Sequence, residues 1–315
     1  MDLNARAGRL VEEMIGRARE LRIAARPIEK GGGLVDCGAE QRGGLAAGIL
    51  LARVCMADLA GVSIVPGEVA GRACSYVHVW TDHPVASCLA SQYAGWAISE
   101  GKFFAMGSGP MRAASGREAI FDRIGFRESA SGVIGVLETR STPTPEVVAK
   151  IAEQCKVPPA CVTLLTAPTA SLAGGVQITA RSVETALHKL AELGFDLGRV
   201  VAGHGWAPLP PTAKNDLAAI GRTNDSILYG ARVVLDVTGD DASLEELGPR
   251  VPSAASRDHG EPFAAIFRRY DHDFYKVDPH LFSPAEVVFN NIETGRVHAY
   301  GHRDESVLER SFSGI

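Results

Sequence analysis

Residues 133–166 read VIGVLETRSTPTPEVVAKIAEQCKVPPACVTLLT. Val133–Glu138 and Val162–Thr166 are short apolar, β-branched runs that read as buried strands. Between them, residues 145–154 read as a helix, with Thr144 marking its start as the N-cap and Pro145 in the first turn. Strand, helix and strand in direct succession place helices against a sheet, and the rest of the chain is read outward from this unit.

Toward the N-terminus, Leu10, Val11, Met14, Ala18 and Leu21 give one apolar stripe, so the periodicity predicts a helix over residues 3–23. A strand is expected at 34–37, a mostly buried helix at 45–59, and strands at 62–65 and 75–81. Pro84 can start a helix that shows Leu89, Tyr93 and Trp96 on one side and runs to Glu100. Toward the C-terminus, Val183, Ala186, Leu187, Leu190 and Leu193 mark a helix stopped by Gly194. Strands follow at 199–202 and 231–237, and residues 285–290 and 297–300 form a hairpin around Gly295. This order predicts an α+β fold, a mixed α/β arrangement with helices packed on sheet, rather than a regular barrel. Pro208–Pro211 is the candidate point for a change of lobe.

The 315 residues suffice for a sizeable core, and 46% hydrophobic with 22% charged residues is the balance of an ordinary globular protein. A net charge of -5, with acids and bases interspersed, offers no basic stripe for a phosphate backbone, so nucleic acid is not an expected partner. Charges throughout the first 25 residues break any secretory h-region, and the longest apolar stretch, Leu45–Ala52, ends at Arg53. A cytoplasmic protein with no membrane association is the expectation. Cys37, Cys55, Cys74, Cys88, Cys155 and Cys161 form no CxxC pair and suit reduced, mostly buried thiols.

The segment GKFFAMGSGP (101–110) runs from a strand into a Gly-rich turn where backbone N–H groups can approach an anion or a heteroaromatic edge. Lys102, Ser108 and Arg112 could supply charge and hydrogen bonds there, although the spacing is neither a Walker A loop nor a dinucleotide fingerprint, and a tight structural turn gives the same string. APTAS (167–171), then Gly174, Gly175 and Gln177, leads into the helix bearing Arg181 and Glu184. That i,i+3 spacing sets guanidinium beside carboxylate near a helix N-terminus, where an Arg can orient a carboxylate that activates water. By the same spacing Arg181, Glu184 and His188 lie opposite the leucine stripe, as a plain solvated face would. No HExxH, paired Cys/His or GxSxG pattern occurs, so His83, His204 and the Asp258–His259 and Asp271–Asp273 clusters read as turns, caps or surface. RTNDS (222–226), SRDHG (256–260) and DFYKVDP (273–279) mix hydrogen-bonding groups with turn formers, as cleft-lining loops do.

Taken in order, LVDCG (34–38), TDHP (81–84), SQYAGW (91–96), GKFFAMGSGP, APTAS, RSVETA (181–186), RTNDS, SRDHG and DFYKVDP make a colinear set that resembles the methenyltetrahydromethanopterin cyclohydrolase family over nearly the whole chain. The resemblance implies two α+β lobes enclosing a pterin-binding cleft, a cytoplasmic homo-oligomer, a trimer, and reversible hydrolysis of a methenyl bridge to the 5-formyl derivative without metal or redox cofactor. The substrate would be methenyl-tetrahydromethanopterin with water, in formaldehyde oxidation or methanogenesis. The family's catalytic pair falls on Arg181 and Glu184, with Glu184 as general base and Arg181 orienting it and keeping it ionised. Lys102, Ser108, Arg112, Gln177, Asp225, Arg257, Tyr275 and Lys276 become candidates for holding the pterin and its tail. The rival expectations are a cyclohydrolase of another cyclic amidine, such as methenyltetrahydrofolate, a silent protein that binds the pterin carrier, and a metal-dependent hydrolase.

Overall fold

The computed structural model describes residues 1–29 and 31–313. In chain order the strands are β1 (Ala24–Pro27), β2 (Gly33–Asp36), β3 (Gly61–Val69), β4 (Arg72–Thr81), β5 (Trp96–Glu100), β6 (Phe103–Ser108), β7 (Val133–Glu138), β8 (Val162–Thr166), β9 (Val200–Pro208), β10 (Arg232–Val237), β11 (Glu286–Asn291) and β12 (Val297–Gly301). The helices are α1 (Leu3–Gly16), α2 (Ala18–Leu21), α3 (Leu45–Cys55), α4 (Met111–Ser115), α5 (Ile120–Ile124), α6 (Pro145–Cys155), α7 (Leu172–Thr179), α8 (Ser182–Glu192), α9 (Asp216–Gly230), α10 (Asp241–Leu247), α11 (Phe263–Arg269) and α12 (Glu305–Ser313). They form two compact units, Met1–Gly61 with Ala86–Gln177, and Val62–Val85 with Ile178–Ile315. This is a mixed α+β fold, as expected.

The first unit is built on a six-stranded sheet of order β1-β2-β8-β7-β6-β5. Its centre, β2, β8 and β7, is parallel, with antiparallel neighbours outside. Both faces are covered. Val35, Val136 and Leu165 pack with Leu10, Met14, Leu51 and Val54 of α1 and α3. Leu34, Leu137 and Leu164 point the other way, onto Val147, Val148 and Ile151 of α6. That double covering is the reason the central strands read as unbroken apolar runs. Thr144 caps α6 by accepting the Val147 N–H, as its position predicts.

In the second unit the order is β12-β11-β10-β9-β4-β3, antiparallel except for β10 beside β11. Here burial alternates residue by residue along β10 and β11, so one face is sealed and the other partly wet. Helix α8 packs against β4, β9 and β10. On the wetter face, His78 stacks on Trp80 along β4 and His204 on Trp206 along β9, and the two histidines meet edge to face across the strands.

Five sequence expectations need correction. The helix from Pro84 does not reach Glu100: it ends at Gln92, and Trp96–Glu100 pairs antiparallel with β6 around the two-residue turn Gly101-Lys102. Gly101, at φ +57°, supplies the left-handed conformation that such a turn needs. The N-terminal helix breaks after Gly16 into α1 and α2, and Arg22, at φ 56°, ends the second piece. The helix from Leu45 stops at Cys55, where left-handed Ala57 and Asp58 turn the chain and Asp58 receives Arg53 at 2.6 Å. Strand β9 is longer than residues 199–202, running through the GHGW string to Pro208. Pro208–Pro211 lies inside the second unit, since the chain changes unit after residues 61, 85 and 177.

Candidate active site

Arg181 and Glu184 stand at the start of α8, Arg181 as the residue before its first turn and Glu184 within it. A carboxylate in a first helical turn faces the unpaired backbone N–H groups and the positive end of the helix. Arg181 Nη1 lies 4.0 Å from Glu184 Oε2. The decisive fact is burial: Arg181 is 7% and Glu184 5% exposed, against the solvated face that spacing alone allowed. Thr185 Oγ1 donates to the Arg181 carbonyl at 2.7 Å and fixes the turn between them.

Two glycines let α8 approach the sheet. A methyl group on Gly203 would stand 3.2 Å from Val183 Cγ1, and one on Gly205 would stand 2.9 Å from Ser182 Oγ. The GHGW string, for which the sequence suggested no role, thus supplies the floor beneath the candidate catalytic turn, with His204 pointing to the opposite face.

The first unit holds a separate polar group of residues. Ser108 and Gln177 are fully buried and meet at Cys55, whose Sγ is 3.6 Å from Ser108 Oγ and 3.6 Å from Gln177 Oε1. Gln177 Nε2 donates to Glu138 Oε1 at 3.1 Å. Glu138 ends β7, and Asp36 ends β2, where its carboxylate accepts the N–H groups of Gly38, Ala39, Glu40 and Gln41 at 2.7–2.9 Å. Both lie at the carboxyl ends of parallel strands, the usual place for a ligand in such sheets, and the sequence reading named neither as a site residue. The signal available was position: an acid closing each apolar run.

The remaining candidates divide. Arg112 is fully buried; it donates to both Glu118 oxygens and to the Leu89 and Ser91 carbonyls, with Tyr93 and Phe121 rings against its guanidinium. Lys102 is exposed in the β5–β6 turn, at the opposite end of β6 from Ser108, so the two do not share a site. Asp225 is sealed inside α9, where it accepts the Phe263 N–H at 2.7 Å and so caps α11; burial pushes its carboxyl up to about 7, against the opposing bonds from Ser311 and Phe263. Arg257, Tyr275 and Lys276 are exposed, Tyr275 at 90%. Their segments are joined through Asp278, which accepts from Ser256 Oγ at 2.8 Å and the Arg257 N–H at 3.2 Å. Asp258 belongs to the same network, holding Tyr270 Oη and the Asp278 N–H at 3.0 Å each. Among the described residues no three His, Cys, Asp or Glu side chains are grouped to hold a metal ion, and no helix is long and apolar enough to cross a membrane.

Compared with known proteins, residues 2–312 match the family described as Cyclohydrolase (MCH). A protein of Rhodopirellula baltica named methenyltetrahydromethanopterin cyclohydrolase is 44% identical, covering 99% of this chain and 95% of its own. Proteins of the same name from Methylobacterium sp. strain 4-46 and Methanococcoides burtonii are 46% and 37% identical, with 99% of this chain and 97% and 98% of theirs aligned.

Proposed function

This chain belongs to the cyclohydrolase (MCH) family, and from that we propose that it hydrolyses the cationic methenyl bridge of 5,10-methenyltetrahydromethanopterin to the 5-formyl derivative, with Glu184 as general base and Arg181 as its orienting partner. The observation that carries the residue assignment is the burial of a guanidinium–carboxylate pair in the first turn of α8. Removing such a pair from water is costly, and a stable fold has little to gain from it, so a chemical use is the better account.

The methenyl carbon is already an electrophile within an amidinium-like cation. Water attacks it, forming the carbon–oxygen bond while Glu184 takes a water proton. The resulting carbinolamine collapses with cleavage of the bond to N10. N10 receives the proton back from Glu184, and the carbinol hydroxyl proton leaves as the formyl C=O forms. The net change is substrate plus water to 5-formyl product plus one proton. Positioning and proton transfer suffice, and the reaction proceeds without metal or redox cofactor. Arg257, Tyr275 and Lys276, all exposed on one hydrogen-bonded pair of loops, contact the carrier. Ser108, Gln177, Arg112 and Asp225 are fully buried and act indirectly, each by holding the structure of its own unit. The protein works as a cytoplasmic homo-oligomer, a trimer, and sedimentation or mass photometry checks the assembly.

The test is the loss of methenyl absorbance on adding protein, with tetrahydromethanopterin and tetrahydrofolate forms side by side and a chelator present. Rapid loss with the first alone is expected. Equal loss with the folate form replaces the substrate, activity lost to chelator brings in a metal, and binding without loss of either leaves a carrier-binding protein.

A further inference from the structure

Helix α8 carries a second buried charge that the hydrolysis does not use. Lys189 is 1% exposed, and its Nζ donates to the His280 carbonyl at 2.7 Å and lies 3.0 Å from His280 Nδ1. Burial pushes the amine down to about 8, with Arg250 adding to the effect and Asp278 opposing it. An ammonium group withdrawn from water is costly unless it is bonded, and here both bonds go to one residue of a distant loop.

That loop presents the proposed carrier contacts. Tyr275 and Lys276 lie in a short turn capped by Asp273, which accepts the Tyr275 N–H at 2.9 Å. His280 lies in the next turn, capped by Asp278, which accepts the His280 N–H at 3.0 Å. Through Asp278, Ser256 and Asp258 the same piece holds the segment of Arg257. At the other end of the tie, Lys189 is five residues from Glu184, about 7.5 Å along the helix axis.

We propose that Lys189 is a positioning residue: by tying His280 to α8 it sets the loop of Arg257, Tyr275 and Lys276 at a fixed distance from Glu184, so that carrier binding and water attack share one geometry. The inference rests on the reading of that loop as a substrate contact. A loop released from α8 would still fold, because Val277 and Leu281 remain in the apolar cluster with Phe263 and Phe267. It would, however, spend part of its time away from the carrier, which weakens binding without altering the chemistry of bound substrate.

The experiment compares Lys189→Met, His280→Ala, Tyr275→Ala and Lys276→Ala in the full chain, with thermal melting to confirm folding. Lys189→Met is expected to raise KM about tenfold with kcat within about twofold, and to speed tryptic cleavage after Lys276. His280→Ala, at an exposed residue, tests the tie without touching the buried lysine, and KM should rise about threefold. It decides the matter if Lys189→Met does not fold. A lower melting temperature with unchanged KM in both variants makes the tie structural only and overturns the proposal, as does a fall in kcat at unchanged KM. Unchanged KM in both Tyr275→Ala and Lys276→Ala removes the substrate reading of the loop, and the inference with it. Raised KM in those two beside unchanged KM in Lys189→Met overturns Lys189 alone.

Discussion

Ser182 lies directly over Gly205. A methyl group at Gly205 would sit 2.9 Å from Ser182 Oγ, 2.9 Å from the Arg232 carbonyl and 2.9 Å from Val233 Cγ2. Ser182 follows Arg181 as the first residue of the turn that holds Glu184, so the closeness of α8 to β9 sets where both charged groups stand. Gly205→Ala should therefore lift the start of α8 and lower kcat together with the melting temperature, since overpacking of this kind costs about 1–3 kcal/mol. Gly8, within α1 and with nothing within 4 Å of an added methyl, is the control. Gly8→Ala should stabilise by about 0.5–1 kcal/mol and leave turnover alone. Kinetics and melting curves of the two variants check this.

Glu184→Gln keeps the size of the side chain and removes the proton acceptor. Turnover should fall by about 10²–10⁴ while the melting temperature changes little. Arg181→Leu should lower both, because it leaves the Glu184 carboxylate, 5% exposed, without its cation. Breaking a buried pair from one side costs about 3–5 kcal/mol. Turnover of Glu184→Gln equal to that of the parent protein would remove the base from the mechanism.

Asp225 sets a pH dependence of stability. Its carboxyl is raised from 3.8 to about 7 by burial. Between those two pH values the folded chain holds a proton that the unfolded chain has released, so the contribution of Asp225 is fully present below pH 3.8 and is lost as pH rises through about 7. Asp225→Asn can still accept the Phe263 N–H and has nothing to ionise. Its stability relative to the parent should climb from pH 4 to pH 7 and level off above, as read from urea unfolding at a series of pH values. A constant difference across that range is the result that would sink the assignment.

Arg112 is the largest fully buried side chain of the molecule's described residues. Arg112→Met would leave Glu118 and the Leu89 and Ser91 carbonyls without their donor. A loss of about 3–5 kcal/mol is expected in chemical unfolding. Glu118 retains 20% side-chain exposure, which places the loss toward the lower end of that range.

Much of this was legible in the chain itself. The β7–α6–β8 succession, the Thr144 cap, the leucine stripe of α8 and the C-terminal hairpin follow from spacing within a few residues, and spacing is what a sequence records directly. The colinear family strings pointed to Arg181 and Glu184 as the pair proposed for catalysis. Tertiary structure decided the rest, because it depends on residues far apart in the chain. Trp96–Glu100 has the composition of a helix end, yet it is a strand because Phe103–Ser108 folds back beside it and supplies its hydrogen bonds. Residues 203–208 extend β9 because two glycines allow a helix to lie over them. Above all, a polar helical face looks the same in sequence whether water or protein covers it. Only the fold determined that Arg181, Glu184 and Lys189 are withdrawn from solvent, and charges withdrawn from water interact more strongly than the same charges on a solvated face.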